Sequence, residues 1–201
     1  MKAVKETAKR AAILIIIMTV LCGLVYPLMI TAISQVFFHN KANGSIIEAN
    51  GKKYGSELLG QQFVGDEYLW GRVMNIDTQI FSDKDNNTLM YAKPSNIDTS
   101  GKEYSKLVEK RVNKIKSANP DADPDKIPVD LVTNSGSGLD PQISYSAATY
   151  QIDRIAKSRD ISNSKVQAII DKYTTNRFIG VFGEKVVNVL DVNLALDGIK
   201  N

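Results

Sequence analysis

The chain has 201 residues and a mass of 22.2 kDa, which is enough for one globular domain or one domain with an appended segment. Its net charge of +3 lies wholly in the first ten residues, since the rest of the chain carries 21 basic and 21 acidic side chains. This distribution argues against a nucleic-acid-binding domain. With one histidine, His39, and one cysteine, Cys22, the sequence excludes an internal disulfide, a multi-thiolate zinc site, a two-histidine metal site and Cys–His catalysis.

Residues 11–38 contain no charged side chain, and the run is aliphatic from its first residue. As a helix it would be about 42 Å long, against about 30 Å of hydrocarbon in a bilayer. A buried core helix and a cleaved signal peptide are the alternatives. The run is unusually long for a soluble core, and the cleavage-like pattern at Ala32-Ile33-Ser34 comes too late for a signal peptide. We therefore predict a retained, single transmembrane helix over residues 11–38.

The charged residues that flank this run predict its orientation. Lys2, Lys5, Lys9 and Arg10 precede it, whereas only Lys41 follows closely. The positive-inside rule then places residues 1–10 in the cytoplasm as a basic flank and residues 39–201 outside the cell membrane as the exoplasmic domain. Specific binding of anionic lipid is the alternative role for the flank, although four charges are the minimum for it.

Small or polar residues recur at every fourth position of the predicted span. These residues are Thr19, Gly23, Pro27, Thr31 and Gln35, which we call the helix stripe. On an α-helix such a row drifts by about 40° per step and forms a gently winding face. Helices in lipid associate through residues of this kind, so the stripe predicts a helix-packing surface, the alternative being a lone anchor. Pro27 cannot bond the carbonyl of Gly23, which predicts a local distortion of the helix there.

The residues after the span predict an α+β domain. Asn50-Gly51 predicts a hairpin turn, and residues 66–97 are expected to be irregular. Predicted helices cover residues 101–118, 144–158 with a Ser144 cap, a segment capped by Ser162 that runs through Tyr173, and 191–199. Predicted strands cover residues 127–132, and residues 178–182 and 185–189 are expected to form a second hairpin.

Three motifs invite a specific chemistry, and each has a simpler explanation. Two acidic runs, residues 83–87 and 121–125, have the first ligand spacings of a calcium loop but lack its turn glycine and closing glutamate, so solvated loops are favoured. Ser162 and Lys165 match the S-x-x-K pattern of penicillin-binding enzymes, whose companion motifs are absent. A helix cap explains Ser162 equally well.

The most distinctive segment is Ser135-Gly136-Ser137-Gly138-Leu139-Asp140, which we call the Ser-Gly loop. Two glycines between small hydroxyl residues are typical of a loop whose backbone N–H groups bind an anion. The alternative is a sharp connection that requires a positive φ at Gly136 and Gly138. Physical reasoning alone favours the structural alternative.

This segment, within residues 127–141, closely resembles the hallmark of the KdpC family, the C subunits of Kdp potassium-transporting ATPases. Residues 187–197, the span around Gly23 to Leu28, and residues 42–45 and 55–61 match that family in the same order. Three places depart from its pattern. Gln142 replaces a common histidine, Val73-Met74 replaces a usual Pro-Ser pair, and residues 95–99 lack a common Leu-Gly-Pro.

The resemblance implies a non-catalytic subunit of a high-affinity, ATP-driven potassium uptake complex. Its implied partners are a channel-like A subunit, a P-type ATPase B subunit and a small F subunit. The resemblance further implies a role in assembly and a catalytic-chaperone effect that raises the affinity of the B subunit for ATP. The Ser-Gly loop, with Ser135, Gly136, Ser137, Gly138 and Asp140, is then a candidate nucleotide or partner contact. ATP enters only through this resemblance, and the predicted topology favours an indirect effect.

Two other functions are weighed against this one. A membrane-anchored exoplasmic enzyme is disfavoured by the lack of a second histidine or cysteine and by the incomplete S-x-x-K set. A membrane-anchored exoplasmic binding domain outside any transporter is disfavoured by the helix stripe, because a lone anchor needs no polar face.

Overall fold

The chain divides into two units, Met1–Ile46 and Ile47–Asn201. Their architecture comes from a computed structural model that describes residues 1–82, 86 and 88–200. The first unit is dominated by one long apolar helix, and the described part of the second combines helices with three small sheets. The predicted fold class, an α+β domain on one N-terminal helix, is confirmed.

The long helix consists of α1 (Lys2–Val20), a π-helical turn (Leu21–Val25) and α2 (Tyr26–Phe37). Its 36 residues include a window of mean hydropathy 2.7, and the helix is long and apolar enough to cross a membrane. In the π turn the N–H of Tyr26 donates to the carbonyl of Leu21, five residues back. The turn lies just before Pro27, which lacks the N–H that an α-helix requires at that position. A one-turn helix, α3 (His39–Ala42), follows.

In the second unit the hairpin predicted at Asn50-Gly51 is present. Strands β1 (Ile46–Ala49) and β2 (Lys52–Ser56) pair, and the two turn residues have φ values of 53° and 73°, as a two-residue hairpin turn needs. The stretch 66–97 was expected to be irregular, and this is wrong in part. Strands β3 (Ile76–Ser82) and β4 (Thr88–Ala92) form an antiparallel pair within it. Asp83, Lys84, Asp85 and Asn87, in the first acidic run, lie outside the described residues.

The helices form close to where the sequence places them. They are α4 (Lys102–Ala118), α5 (Tyr145–Thr149), α6 (Ile152–Arg159), α7 (Asn163–Lys172) and α8 (Val189–Leu196). Ser144 caps α5 and Ser162 caps α7, each accepting a bond from the backbone N–H three residues later, as predicted. The single helix expected over 144–158 is instead two, because the chain turns at Tyr150 and Gln151. Helix α8 starts earlier than expected, after an Asn188 cap.

Two predicted strand assignments are wrong. Residues 127–132 form no strand, since Val129–Leu131 makes a 3-10 turn in which Leu131 bonds back to Pro128. The hairpin expected over 178–189 is also absent. The strand predicted over 185–189 is present as β7 (Val186–Asn188), but it lies between β5 (Gln142–Ser144) and β6 (Thr174–Thr175), antiparallel to both. Another 3-10 turn spans Pro124–Lys126.

The core of the second unit lies between this three-stranded sheet and the helices. Helices α5 and α8 pack on β7, and α7 packs on α5, α6 and α8. Side chains that are fully buried there include Ile143, Ile155, Val166, Ile170, Val187 and Val192. The buried side chains of α4 and α7 include Ile115, Val166 and Ile170. This packing brings the connection before β5, which contains the Ser-Gly loop, against residues 60–75.

Candidate functional site

The Ser-Gly loop uses its own hydroxyl groups to satisfy its backbone. Ser135 Oγ accepts from the Gly138 N–H at 3.1 Å, and Ser137 Oγ accepts from the Leu139 N–H at 3.3 Å. Two of the N–H groups available to an anion are therefore already bonded within the loop. This arrangement is the one expected of a sharp structural connection.

The two glycines of the loop have different roles. Gly138 has a φ of 74° and is buried, whereas Gly136 lies outside the left-handed region, so the positive φ predicted for Gly136 is wrong. A Cβ on Gly138 would lie 2.9 Å from the Lys93 carbonyl oxygen and 3.0 Å from that of Asn75, and the Gly138 carbonyl accepts from the Asn75 N–H at 3.1 Å. A Cβ on Gly136 would meet nothing within 4 Å. Gly138 thus permits close backbone packing, while Gly136 is exposed and unconstrained.

Gly60 holds the loop at the residues that follow Gly138. Its N–H donates to the Leu139 carbonyl at 2.8 Å, and a Cβ there would lie 2.7 Å from the Asp140 carbonyl oxygen. The loop is therefore held by two segments that are distant from it in sequence, and the glycine at each contact, Gly60 or Gly138, leaves no room for a Cβ.

Arg72 is the positively charged side chain that pairs with the aspartates of the loop region. Its Nη1 lies 3.9 Å from both Asp130 Oδ1 and Asp140 Oδ2. Each carboxylate uses its second oxygen on backbone, because Asp130 accepts from the Ser144 N–H at 2.6 Å and Asp140 from the Gln142 N–H at 3.0 Å. The guanidinium therefore lies between two carboxylates that belong to opposite ends of the loop region.

Two buried amide side chains place the segment that carries Arg72. Asn193 accepts from the Leu69 N–H at 2.7 Å and donates to the Leu69 carbonyl at 2.9 Å. Gln151 makes the same pair of bonds with Trp70, at 2.9 and 3.0 Å. Both amides are almost fully buried, so they act as a side-chain substitute for a neighbouring strand. Residues 69 and 70 are thereby held in one position, directly before Arg72.

Arg154 completes the support from the side of α6. It donates to the carbonyls of Asp66 and Tyr68, to Asn119 Oδ1 and to Gln151 Oε1, and its guanidinium carbon lies 4.1 Å from the centre of the Trp70 ring. Burial lowers the pKa of Arg154 to about 10, so the group is still charged at neutral pH.

A cavity of about 170 Å³ adjoins Arg72 and is lined in part by Arg111 and Lys114. Arg111 donates to the Val132 carbonyl at 2.9 Å, and burial lowers its pKa. Lys114 Nζ lies 4.8 Å from the centre of the Trp70 ring. Lys114 therefore contacts the segment that carries Arg72, whereas Arg111 holds the backbone just before the Ser-Gly loop.

The other chemical motifs have local structural roles. Asp123 caps the 3-10 turn by accepting from the Asp125 N–H, and it pairs with Lys126 at 3.0 Å. These two bonds hold the pKa of Asp123 below its usual value. Ser162 Oγ accepts from the Lys165 N–H as the cap of α7. Within the described residues no group of three or more His, Cys, Asp or Glu side chains is placed to hold a metal ion.

All five residues of the helix stripe lie in the long helix and are exposed on the first unit. Gly23 lies inside the π turn, which holds more residues per turn than an α-helix. A four-residue spacing therefore drifts less there, which aligns Thr19, Gly23 and Pro27 more closely than a regular helix would. At the other end, Gln35 and Asn43 bond through their side-chain amides at 3.0 Å.

Sequence reasoning placed the Ser-Gly loop but assigned no role to Arg72, Gln151 or Asn193. Arg72 lies in a stretch without periodicity, and no local pattern indicates that two aspartates about 60 residues away face it. The signal for the amides was a polar residue inside a helical segment of apolar neighbours, as at Asn193.

Comparison with known proteins shows a full-length similarity. The family model described as "KdpC: K+-transporting ATPase, c chain" matches residues 8–198. A potassium-transporting ATPase KdpC subunit of Clostridium perfringens is 58% identical over 191 residues, covering 95% of this chain and 96% of the relative. One of Clostridium botulinum is 56% identical, covering 99% of both chains, and one of Paraburkholderia xenovorans is 40% identical, covering 98% of both.

Proposed function

The chain belongs to the KdpC family, the c chains of K+-transporting ATPases, and from that membership we propose that it is a non-catalytic subunit of a high-affinity, ATP-driven potassium uptake complex. The observation that carries the proposal is the match to this family over residues 8–198. The proposed partners are the channel-like A subunit, the ATP-hydrolysing B subunit and the small F subunit. In this proposal the chain supports assembly of the complex.

Co-purification tests this proposal directly. A tagged full-length chain, produced with its neighbouring subunits and extracted in mild detergent, is expected to bring down the A, B and F chains. Recovery of the tagged chain as a lone monomer would contradict the proposal and would favour an anchored binding domain outside any transporter. As a control, the same tag on an unrelated single-span protein of the same membrane should recover none of the three.

We further propose that the first ten residues lie in the cytoplasm and the second unit outside it. The basic flank before the helix supports this orientation. Alkaline phosphatase fused after Asn40 is expected to be active, because the enzyme folds only outside the cytoplasm, whereas a fusion after Arg10 should be inactive. An inactive fusion after Asn40, with normal protein levels, would reverse the proposed orientation.

The helix stripe is proposed to pack against helices of the partner subunits. A Cβ added to Gly23 would meet no atom within 4 Å in the isolated chain. A larger residue there therefore causes no steric clash until a partner helix approaches.

Gly23→Leu and Thr31→Leu are therefore expected to lower the yield of intact complex by about tenfold each, because they block close approach of a partner helix. Ala32→Leu is the matched control. It enlarges a small residue that lies about 100° around the helix from Thr31, and it should leave the yield unchanged. Yield is measured by mild-detergent co-purification. Equal yields for all three variants would contradict a packing role.

The catalytic-chaperone effect on ATP affinity is proposed to be indirect. Support comes from the Ser-Gly loop, where the hydroxyl groups of Ser135 and Ser137 already accept from backbone N–H groups of the same loop. Ser137 is exposed, so Ser137→Ala tests a direct contact with little effect on folding. The apparent affinity of the purified complex for ATP is expected to be unchanged in this variant. Loss of nucleotide binding in the Ser137→Ala complex would establish a direct contact.

A further inference from the structure

Four large apolar side chains are exposed together in the loop before β7. We call residues 178–182 the apolar tip. Phe178 is 71% exposed, Ile179 76%, Val181 70% and Phe182 66%. Among the residues of the second unit whose exposure the structure describes, the other exposed large apolar side chains occur singly or as the pair Leu58 and Leu59. A cluster of this size on a folded domain marks a contact surface.

The apolar tip is ordered by its own backbone. The N–H of Phe178 donates to the Phe182 carbonyl at 2.8 Å, and the N–H of Phe182 donates back to Phe178 at 3.0 Å. Below the tip, Arg177 pairs with Glu184 at 2.7 Å. The exposed side chains are thus presented on a closed, preorganised loop, which reduces the entropy lost when a partner binds.

Ile179 adds a sign of backbone strain. Its φ is 53°, a left-handed conformation that costs a β-branched residue about 1–2 kcal/mol. The side chain is 76% exposed, so contacts within the domain do not offset that cost. Strained residues of this kind persist where the conformation serves a function, and presenting an apolar side chain to a partner is such a function.

The size and charge of the apolar tip identify the occupant. Its exposed apolar surface is on the order of 500 Å², below the roughly 800 Å² per partner that a stable free-standing interface buries. A second copy held by this surface alone is therefore disfavoured, whereas a partner tethered in the same membrane needs less area. A lipid surface is disfavoured because both cations at the stem are already engaged: Arg177 pairs with Glu184 at 2.7 Å, and Lys185 Nζ lies 3.3 Å from the centre of the Tyr145 ring.

We propose that the apolar tip docks into a concave apolar pocket on another subunit of the transporter. This inference rests on the proposed function. It adds a second contact to the one proposed for the transmembrane helix, and it assigns that contact to Phe178, Ile179, Val181 and Phe182. Because the helix anchors the chain to the complex, the apolar tip is present at a high local concentration beside its partner. The tip then adds buried apolar area to the contact.

Site-specific photo-crosslinking in the full complex tests the docking. A photoreactive benzoylphenylalanine replaces Val181 in one variant and Val64, a valine that is 63% exposed, in the matched control. Val181 is expected to crosslink to another subunit at least tenfold more than Val64. Crosslinks from Val181 to lipid, to a second copy of this chain, or at the control level would overturn the inference. If the unmodified chain recovers no complex, the proposed function fails first, and the inference fails with it.

Paired substitutions give an independent measurement. Val181→Ser together with Phe182→Ser is expected to speed dissociation of the chain from the detergent-extracted complex by about tenfold, as loss of a buried apolar anchor does. Val64→Ser should leave that rate unchanged. Since these side chains are exposed, thermal unfolding of the isolated full-length chain should be the same in all variants. A dissociation rate that equals the control would overturn the proposal.

Discussion

Replacing Arg154 with methionine is expected to lower the free energy of unfolding by about 3 kcal/mol. The guanidinium is buried and donates to the carbonyls of Asp66 and Tyr68 and to the side chains of Asn119 and Gln151. Methionine fills similar volume but leaves these acceptors without a donor. Thermal unfolding of the full chain in detergent, followed by the fluorescence of Trp70, should show a midpoint lower by about 10 °C.

Two variants separate this effect from a general effect of lost charge. Lys157→Met, on the same helix, removes a lysine whose side chain is 79% exposed and whose pair with Asp121 spans 3.7 Å, so it should change stability by less than about 0.5 kcal/mol. Arg154→Lys keeps the charge but loses the planar fork and should recover only part of the stability. Equal stability of the Arg154→Met and Lys157→Met variants would show that the buried network contributes little.

Gly138→Ala is expected to destabilise the domain by about 2 kcal/mol. Its φ of 74° is unfavourable for alanine, and the added Cβ would meet two backbone carbonyls at 2.9 and 3.0 Å, neither of which moves as a flexible side chain does. The strain would also displace the loop from Asn75. Denaturant unfolding of the full chain measures the change as a lower midpoint at constant slope.

Gly136→Ala is the matched control, two residues away in the same loop. It has open space around its Cβ and lies outside the left-handed region, so stability should change by less than about 0.5 kcal/mol. If both alanine variants unfold at the same denaturant concentration, close packing at Gly138 is not what holds the loop in place.

Elements whose signals are local were predicted well. The caps at Ser144 and Ser162 and the Asn50-Gly51 turn depend on a residue and its nearest neighbours, and all three are present. Helix α4 (Lys102–Ala118) nearly coincides with the helix predicted over residues 101–118. In each case the hydrogen bonds that define the element are made within a few residues.

Elements whose partners are distant were predicted poorly. Val129–Leu131 has the composition of a short strand, but Pro128 and the local 3-10 bonds close the backbone before any strand can pair. Strand β7 was paired with the wrong segment, because an apolar run does not specify its neighbour in a sheet. Val187 is fully buried between β5 and β6, a position that depends on how the helices pack.

The sequence by itself determined the long apolar helix, the basic flank before it, the caps of the helices and the family to which the chain belongs. These features depend on composition, periodicity and motifs, which are properties of neighbouring residues. Only the tertiary structure decided that Arg72 lies between Asp130 and Asp140, that Gln151 and Asn193 hold residues 69 and 70, and that four apolar side chains stay exposed at residues 178–182. The physical reason is that burial and hydrogen-bond partners are set when segments more than 50 residues apart pack together.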